Sequence, residues 1–393
     1  MLNTNFTSWP LFTKEEANAV QRVLLSNKVN YWTGEECRQF EKEFSAWSNS
    51  VYSVALGNGT LALDVAFKSL DIGIGDEVVV TSRTFIASIS SIVNSGASPV
   101  FTDIDLDSQN ITAESIRSVI TNKTKAIVCV HLAGWPCEMD EIMSLAHEFD
   151  LYVIEDCSQA HGAKYKEKTV GSIGHIGCWS FCQDKIITTG GEGGMVTTSD
   201  ELLWRKIWAY KDHGKSYEAV YERDSNSVDG FRWLHETFGT NWRMTEIQAV
   251  IGRIQLKRMP DWHSKRIYNA NKIWDTAKQC KGLRVPSIPD YIEHAAYKCY
   301  VFVEPKELKT SWNRYRIAQE INALGVPCYL GSCSEVYLEK AFDGTGFRPK
   351  KRLLNAKELG STSLMFLVHP TLNKDEILQT CDAIISIMNL ATP

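Results

Sequence analysis

Lys185 lies between an apolar, strand-like run and a loop holding Gly190, Gly191, Gly193 and Gly194, in the stretch SFCQDKIITTGGEGGMV. An amine beside bare backbone can serve two chemistries. In a phosphate-binding P-loop the glycines precede the lysine and the motif ends in GK[ST]. Here they follow it, and the full GxxxxGK[ST] motif occurs nowhere: the one GKS triplet, Gly214–Ser216, has Ala209 where the loop's first glycine would stand. No GxGxxG follows the first apolar strand, which argues against a dinucleotide site. What remains is a lysine used as a nucleophile, with glycines that let the backbone pass close to something flat or bulky.

Three other places offer partners for such an amine. Asp156 ends the apolar run LYVIED, where a carboxylate is costly unless a cation or donors meet it. The plain alternative is an N-cap or a structural ion pair. Gln159 and His161 follow within the same turn. In GNGT, Gly59 and Thr60 open a helix whose free N–H groups and dipole suit an anion, although many such starts are only caps. In GCWSFC, Cys178, Ser180 and Cys182 share one face of a strand, with Trp179 and Phe181 on the other. Ser180 could equally be a satisfied core hydroxyl. The cysteines read as packing, nearby His175 does not turn them into a metal site, and no metal is expected.

Positioning these groups falls to alternating elements. VYSVAL (Val51–Leu56), EVVVTS, SPVFTDI, KAIVCVHL and LYVIED read as short buried strands separated by helical stretches such as GTLALDVAFKSL, AESIRSVI and EMDEIMSLAHEF. That rhythm predicts βαβ units and a mostly parallel sheet sandwiched by helices, an α/β fold with ligands at the carboxyl ends of its strands. Close-spaced strands follow near residues 165–200, then some forty helical residues beyond Gly239. A joint at LRVPSIPDY leads into a smaller C-terminal α+β segment. The domains are set at 1–257, an N-terminal arm and the large α/β domain, and 258–393, a helical connection and the small domain.

Composition narrows the class. The chain has 393 residues, 44% hydrophobic and 23% charged, with a formal net charge of −5 and mixed signs throughout. Nothing resembles a basic stripe, so no nucleic-acid partner is expected. No apolar run reaches the length of a membrane span, and the first residues lack the pattern of a secretion signal. Eleven cysteines without CxxC pairs read as buried thiols in a reduced, cytoplasmic setting.

A lysine, a carboxylate and an anion pocket at one sheet edge are what pyridoxal 5′-phosphate chemistry needs: a Schiff-base amine, a partner for the pyridine nitrogen and a phosphate seat. The ordered series GNGTLAL, GIGDEVVVTSRTFIAS, GASPVFTDID, HLAGWPCEMD, VIEDCSQAHGA, GSIGHIGCWSF, DKIITTGGEGG and GTNWRMTEIQA resembles the DegT/StrS-type sugar aminotransferases, fold type I of the pyridoxal phosphate enzymes. The resemblance is close from about Trp32 to Met259 and looser beyond.

The resemblance implies roles. Lys185 would carry the cofactor, Asp156 would face its ring nitrogen, Gln159 its phenolic oxygen and Phe85 its ring face. Gly59, Thr60 and Ser180 would hold the phosphate. Asn241, with Arg243 assisting, would reach it from the neighbouring subunit of a homodimer with composite sites. Trp32, Gly34 and His161 would border the sugar pocket. Glutamate would give its nitrogen to the cofactor, which would pass it to a keto sugar, Lys185 moving the proton between substrate and cofactor. A dehydrating relative carries histidine in place of the lysine, so transamination is expected here. The substrate expected is a nucleotide-linked 4-keto or 3-keto-6-deoxy sugar, for lipopolysaccharide, O-antigen or related amino-sugar biosynthesis. The stretch PCYLGSCSEVYLEKAF departs from the family's common pattern and leaves room for 8-keto-3-deoxyoctulosonate. A non-catalytic binding relative is the alternative of another class, opposed by the presence of both Lys185 and Asp156.

Overall fold

The computed structural model describes residues 5–222 and 233–393. Its first half runs α1 (Lys14–Leu25), α2 (Glu36–Ser48), β1 (Tyr52–Leu56), α3 (Gly59–Ser69), β2 (Glu77–Thr81), α4 (Ala87–Ser95), β3 (Ser98–Thr102), α5 (Ala113–Arg117), β4 (Thr124–Val130), α6 (Met139–Glu148) and β5 (Tyr152–Asp156). Then come β6 (Lys164–Tyr165), β7 (Lys168–Thr169), β8 (Ile176–Ser180), β9 (Gly194–Thr198) and α7 (Glu201–Tyr210), and the long α8 (Glu246–Ala277). The remainder is β10 (Leu283–Arg284), β11 (Ile292–Glu293), β12 (Cys299–Val303), α9 (Arg314–Ala323), β13 (Cys328–Tyr329), α10 (Leu354–Thr362), β14 (Ser363–Phe366) and α11 (Lys374–Ala391).

Seven strands form one sheet in the order β1-β9-β8-β5-β4-β2-β3, in which β9 alone runs antiparallel to its neighbours. Alternation along each strand feeds two cores. Val78, Val80, Val128 and Ile154 pack with α3, α4 and α7 on one face. Val79, Ile127 and Val153 meet α6 on the other, where Trp179, Phe181 and Met195 meet α2 and α8. Such two-sided burial is why the strands read as unbroken apolar runs.

The second unit is a four-stranded antiparallel sheet, β10-β12-β14-β13, packed by α9, α11 and the end of α8 through Ala270, Ile273 and Trp274. The boundary expected at 257/258 therefore falls inside α8. That helix is continuous through Pro260, although proline usually ends a helix interior. Packing on α1 and α2 at one end and α11 at the other holds it together. The helix expected in AESIRSVI is short, five residues from Ala113, opened by its Thr112–Ser115 capping box and ending at the C-cap Ser118. All eleven cysteines are free thiols, eight of them buried. Among the described residues no helix is long and apolar enough to cross a membrane.

Candidate active site

Register brings the chemistry to one edge of the large sheet. Leu56 pairs with Gly194, Gly194 with Ser180, and Cys178 with Asp156. The loops beyond these strand ends surround a cavity of about 850 Å³ lined by Gly59, Thr60, Phe85, Asp156, Gln159, Ser180 and Lys185 among others. Seven residues expected at the cofactor site from scattered motifs thus meet in one place.

Each is held locally. Asn58 caps α3 by accepting from Leu61 N, so the helix starts at Gly59 with its first N–H groups toward the cavity. A Cβ on Gly59 would come within 2.5 Å of Ser180 Cβ, so only glycine lets α3 approach β8 this closely. Gly190 and Gly191 have φ of 86° and 126°, which makes the turn that returns the chain to β9 after Lys185. Asp156 Oδ2 accepts from Ser88 Oγ at 2.8 Å and Oδ1 from Ser158 N at 3.1 Å. Gln159 Oε1 accepts from Ala133 N at 2.8 Å, which turns its amide NH2 group the other way as a free donor. Phe85 is 70% exposed, a large apolar ring left open at the cavity wall.

Pleating separates two adjacent acids on β5. Glu155 is fully buried, bonded to His131 at 2.9 Å and to the N–H groups of Gly171, Ile173 and Gly174. It ties down the 171–174 turn. Asp156, one residue on, faces the cavity. An anion seat at a helix start, a buried carboxylate, a spare amide donor, an open aromatic face and an amine fit a flat, phosphate-bearing pyridine aldehyde.

The other expected residues do not line this cavity. Trp32 Nε1 donates to Asp212 Oδ2 at 2.6 Å, Arg243 Nη1 donates to Asp212 Oδ1 at 2.5 Å, and Asn241 pairs through its backbone with Asp212. They form a second cluster on one buried carboxylate, joined to the cavity rim where Gly57 N donates to Trp242 O at 2.9 Å. Gly34 is a packing position: a Cβ there would lie 2.2 Å from Glu246 Oε2. Glu246 accepts from Glu36 and Cys37 N–H, serving α2 as the cap its own Glu35 does not supply. His161 is not at the sugar side either. It is fully buried, 5.3 Å from the Trp179 ring and 5.7 Å from Phe181, in the aromatic core beneath Lys185. An apolar pocket accommodates a neutral imidazole, which the sequence alone could not distinguish from a pocket ligand.

Four cavity groups went unforeseen. Asp184 Oδ1 lies 3.6 Å from Lys185 Nζ, and its other oxygen accepts from Tyr297 OH. Burial opposes the charge on Asp184, but Lys185, the Tyr297 hydroxyl and Lys298 outweigh it and hold its carboxyl below the usual range. Tyr297 also places its ring 5.2 Å from Lys185 Nζ. Lys298 lines the same cavity, its pKa lowered to about 8 by burial and by Arg266 and Lys185, against the pull of Asp184. Ser88 completes the set. Only Asp184, beside the lysine, carried a local signal.

Burial pushes three histidines down to a pKa of about 3: His161, helped by Lys185 and Arg266; His294, helped by His263; and His369, helped by Arg266 and Lys298. Each stays neutral when folded while its unfolded counterpart gains a proton below about pH 6.5, so stability is lost as pH falls from there towards 3. The slope is about 1.4 kcal/mol per pH unit for each. The melting temperature should drop steeply between pH 6.5 and 5, and a flat profile there would contradict the placement of these rings.

The model of the DegT/DnrJ/EryC1/StrS aminotransferase family matches residues 10–385. An aminotransferase from Psychrobacter cryohalolentis, solved by X-ray methods, is 66% identical with a TM-score of 0.95, covering 98% of this chain and 99% of that one. GDP-perosamine synthase of Escherichia coli is 40% identical over 283 residues, 69% of this chain and 73% of that protein. DesV of S. venezuelae superposes with a TM-score of 0.85 at 28% identity, covering 95% of this chain and 94% of that one.

Proposed function

The chain belongs to the DegT/DnrJ/EryC1/StrS aminotransferase family, pyridoxal-phosphate-dependent enzymes of fold type I, and from the cavity at its sheet edge we propose that it aminates a nucleotide-linked keto sugar with nitrogen from an amino acid of the glutamate type. The observation that carries the reading is the meeting of Lys185 and Asp156 in one cavity with the start of α3. Family membership sets aside the non-catalytic alternative. Likeness to GDP-perosamine synthase supports a nucleotide-linked sugar over a free octulosonate.

Bound pyridoxal phosphate supplies an electron sink for the carbon that gives up its proton. The residues do the rest. The N–H groups at Gly59 and Thr60, with Ser180 Oγ, hold the phosphate. Asp156, its carboxylate fixed by Ser88 and Ser158 N–H, keeps the ring nitrogen protonated. The amide NH2 of Gln159 donates to the phenolic oxygen, and Phe85 covers the ring. Lys185 Nζ is the amine that would hold the cofactor's aldehyde carbon and, when free, would serve as the proton carrier. Borohydride should fix the cofactor to Lys185 in the resting enzyme, found by peptide mass; attachment elsewhere refutes this assignment.

Trp32, Asn241 and Arg243 stand away from their own chain's Lys185, and we assign them to the cavity of a second copy in a homodimer. This predicts complementation. Asn241→Ala and Lys185→Ala homodimers should each be nearly inactive. Mixed after dissociation, they should regain about a quarter of wild-type activity, because half the dimers are hybrids with one intact site each. A mixture no more active than its parents rules out shared sites.

A further inference from the structure

A second cavity, of about 400 Å³, adjoins the first through a common wall of Asp184, Tyr297, Lys298, Tyr329 and Leu367. Its floor is Arg266 and its roof is the N-terminal segment Phe6–Trp9. The roof is tied at several points. Trp9 Nε1 donates to Lys185 O at 2.9 Å, Thr371 Oγ1 donates to Ser8 O at 3.0 Å, and Thr7 N donates to Glu376.

Arg266 is 1% exposed, and its Nε and Nη2 atoms have no hydrogen-bond partner. Trp9 covers one face of the guanidinium, its ring centroid 5.1 Å from Cζ. No carboxylate lies within ion-pair distance of Arg266 among the described residues, although a buried guanidinium without an anion is among the costliest groups a fold can keep. Charges around this cavity are Arg266 and Lys298 against Asp184 alone, and Asp184 is already engaged by Lys185 and Tyr297. A planar fork of free donors in a net-positive chamber beside the reactive lysine is built for a carboxylate.

We propose that this chamber is the seat of a carboxylate of the amino-acid donor, with Arg266 as its buried partner and Lys298 at the shared wall. The inference rests on the aminotransferase reading and adds how the donor is recognised. It makes Arg266 a binding group that stabilises the loaded enzyme and destabilises the empty one.

The test titrates 2-oxoglutarate into the holoenzyme by calorimetry, with 2-oxobutyrate as the probe lacking the second carboxylate. Arg266→Gln should weaken 2-oxoglutarate binding by at least ~30-fold. The melting temperature of the ligand-free variant should hold or rise, because an unpaired buried charge is removed. Arg266→Lys should restore part of the affinity. Affinity retained within ~threefold in Arg266→Gln overturns the proposal, as does a lower melting temperature with affinity intact. Should Arg266→Gln fail to fold, Lys298→Met decides instead: a ~tenfold loss of 2-oxoglutarate affinity supports the seat, and no loss rejects it. Variants that lose the keto sugar but keep 2-oxoglutarate would give the carboxylate to the sugar and overturn the donor assignment. An enzyme that binds 2-oxoglutarate through Arg266 yet aminates no keto sugar would sink the proposed function and leave this inference standing.

Discussion

Lys185→Ala is expected to lower amino transfer at least ~10⁴-fold while leaving the fold intact. Lys185 sits in a loop rather than in a packed element, its side chain is partly exposed, and its interactions are Asp184 at 3.6 Å and the face of Tyr297 at 5.2 Å. Neither is a core contact, so truncation should move the melting temperature little. What disappears is the one amine placed to carry the cofactor and then move the proton. Lys298 is the other lysine lining the cavity. Its pKa near 8 leaves it partly neutral at physiological pH, so it is the group able to supply residual activity. Lys185→Ala should therefore retain noncovalent cofactor, lose its borohydride-fixed fraction and turn over at a rate that Lys298→Met lowers further. Turnover within tenfold of wild type would take Lys185 out of the reaction.

The contrast between these two lysines shows where sequence reading succeeds. Lys185, Asp156, Ser180 and Gly59 each sit within a few residues of a strand end. A short apolar run followed by a polar residue is visible locally, and a parallel sheet gathers all such ends at one edge. Lys298 and Tyr297 lie instead just before β12 of the small domain, and Arg266 lies in the middle of α8. On a helix rich in lysine and arginine, one buried arginine looks like its solvated neighbours. Its burial depends on Trp9 and His369, which come from opposite ends of the chain. Such long-range closure has no local signature. For the same reason the boundary expected at 257/258 falls inside α8: that the helix belongs to both units shows only in its packing on α1 and α2 at one end and α11 at the other. Trp32, expected at the sugar pocket, and Asn241 and Arg243, expected at the neighbouring subunit's phosphate, all gather on Asp212, a residue that no motif singles out.

Asp156→Asn and Glu155→Gln, neighbours on one strand, should fail in opposite ways. Asp156→Asn keeps the shape and can still meet Ser88 and Ser158, so the fold should lose little. It removes the negative charge that keeps the ring nitrogen protonated, and turnover should fall about 10³-fold, roughly 4 kcal/mol of transition-state stabilisation. Weaker cofactor retention should accompany the loss. Glu155→Gln touches nothing in the cavity, yet it removes the charge paired with buried His131 and replaces one of the two oxygens that serve three backbone N–H groups with an NH2 donor. That should cost the fold about 3 kcal/mol. Burial alone would raise the Glu155 pKa, but His131 and the Gly171 and Gly174 N–H groups outweigh it and hold the carboxyl low. Its contribution is thus present above pH 4.5 and lost on acidification through the lower folded value. Kinetics and melting curves on both variants separate the roles. Glu155→Gln slow at full stability, or Asp156→Asn destabilised but normal in rate, would mean the other face of the pleat turns toward the cavity.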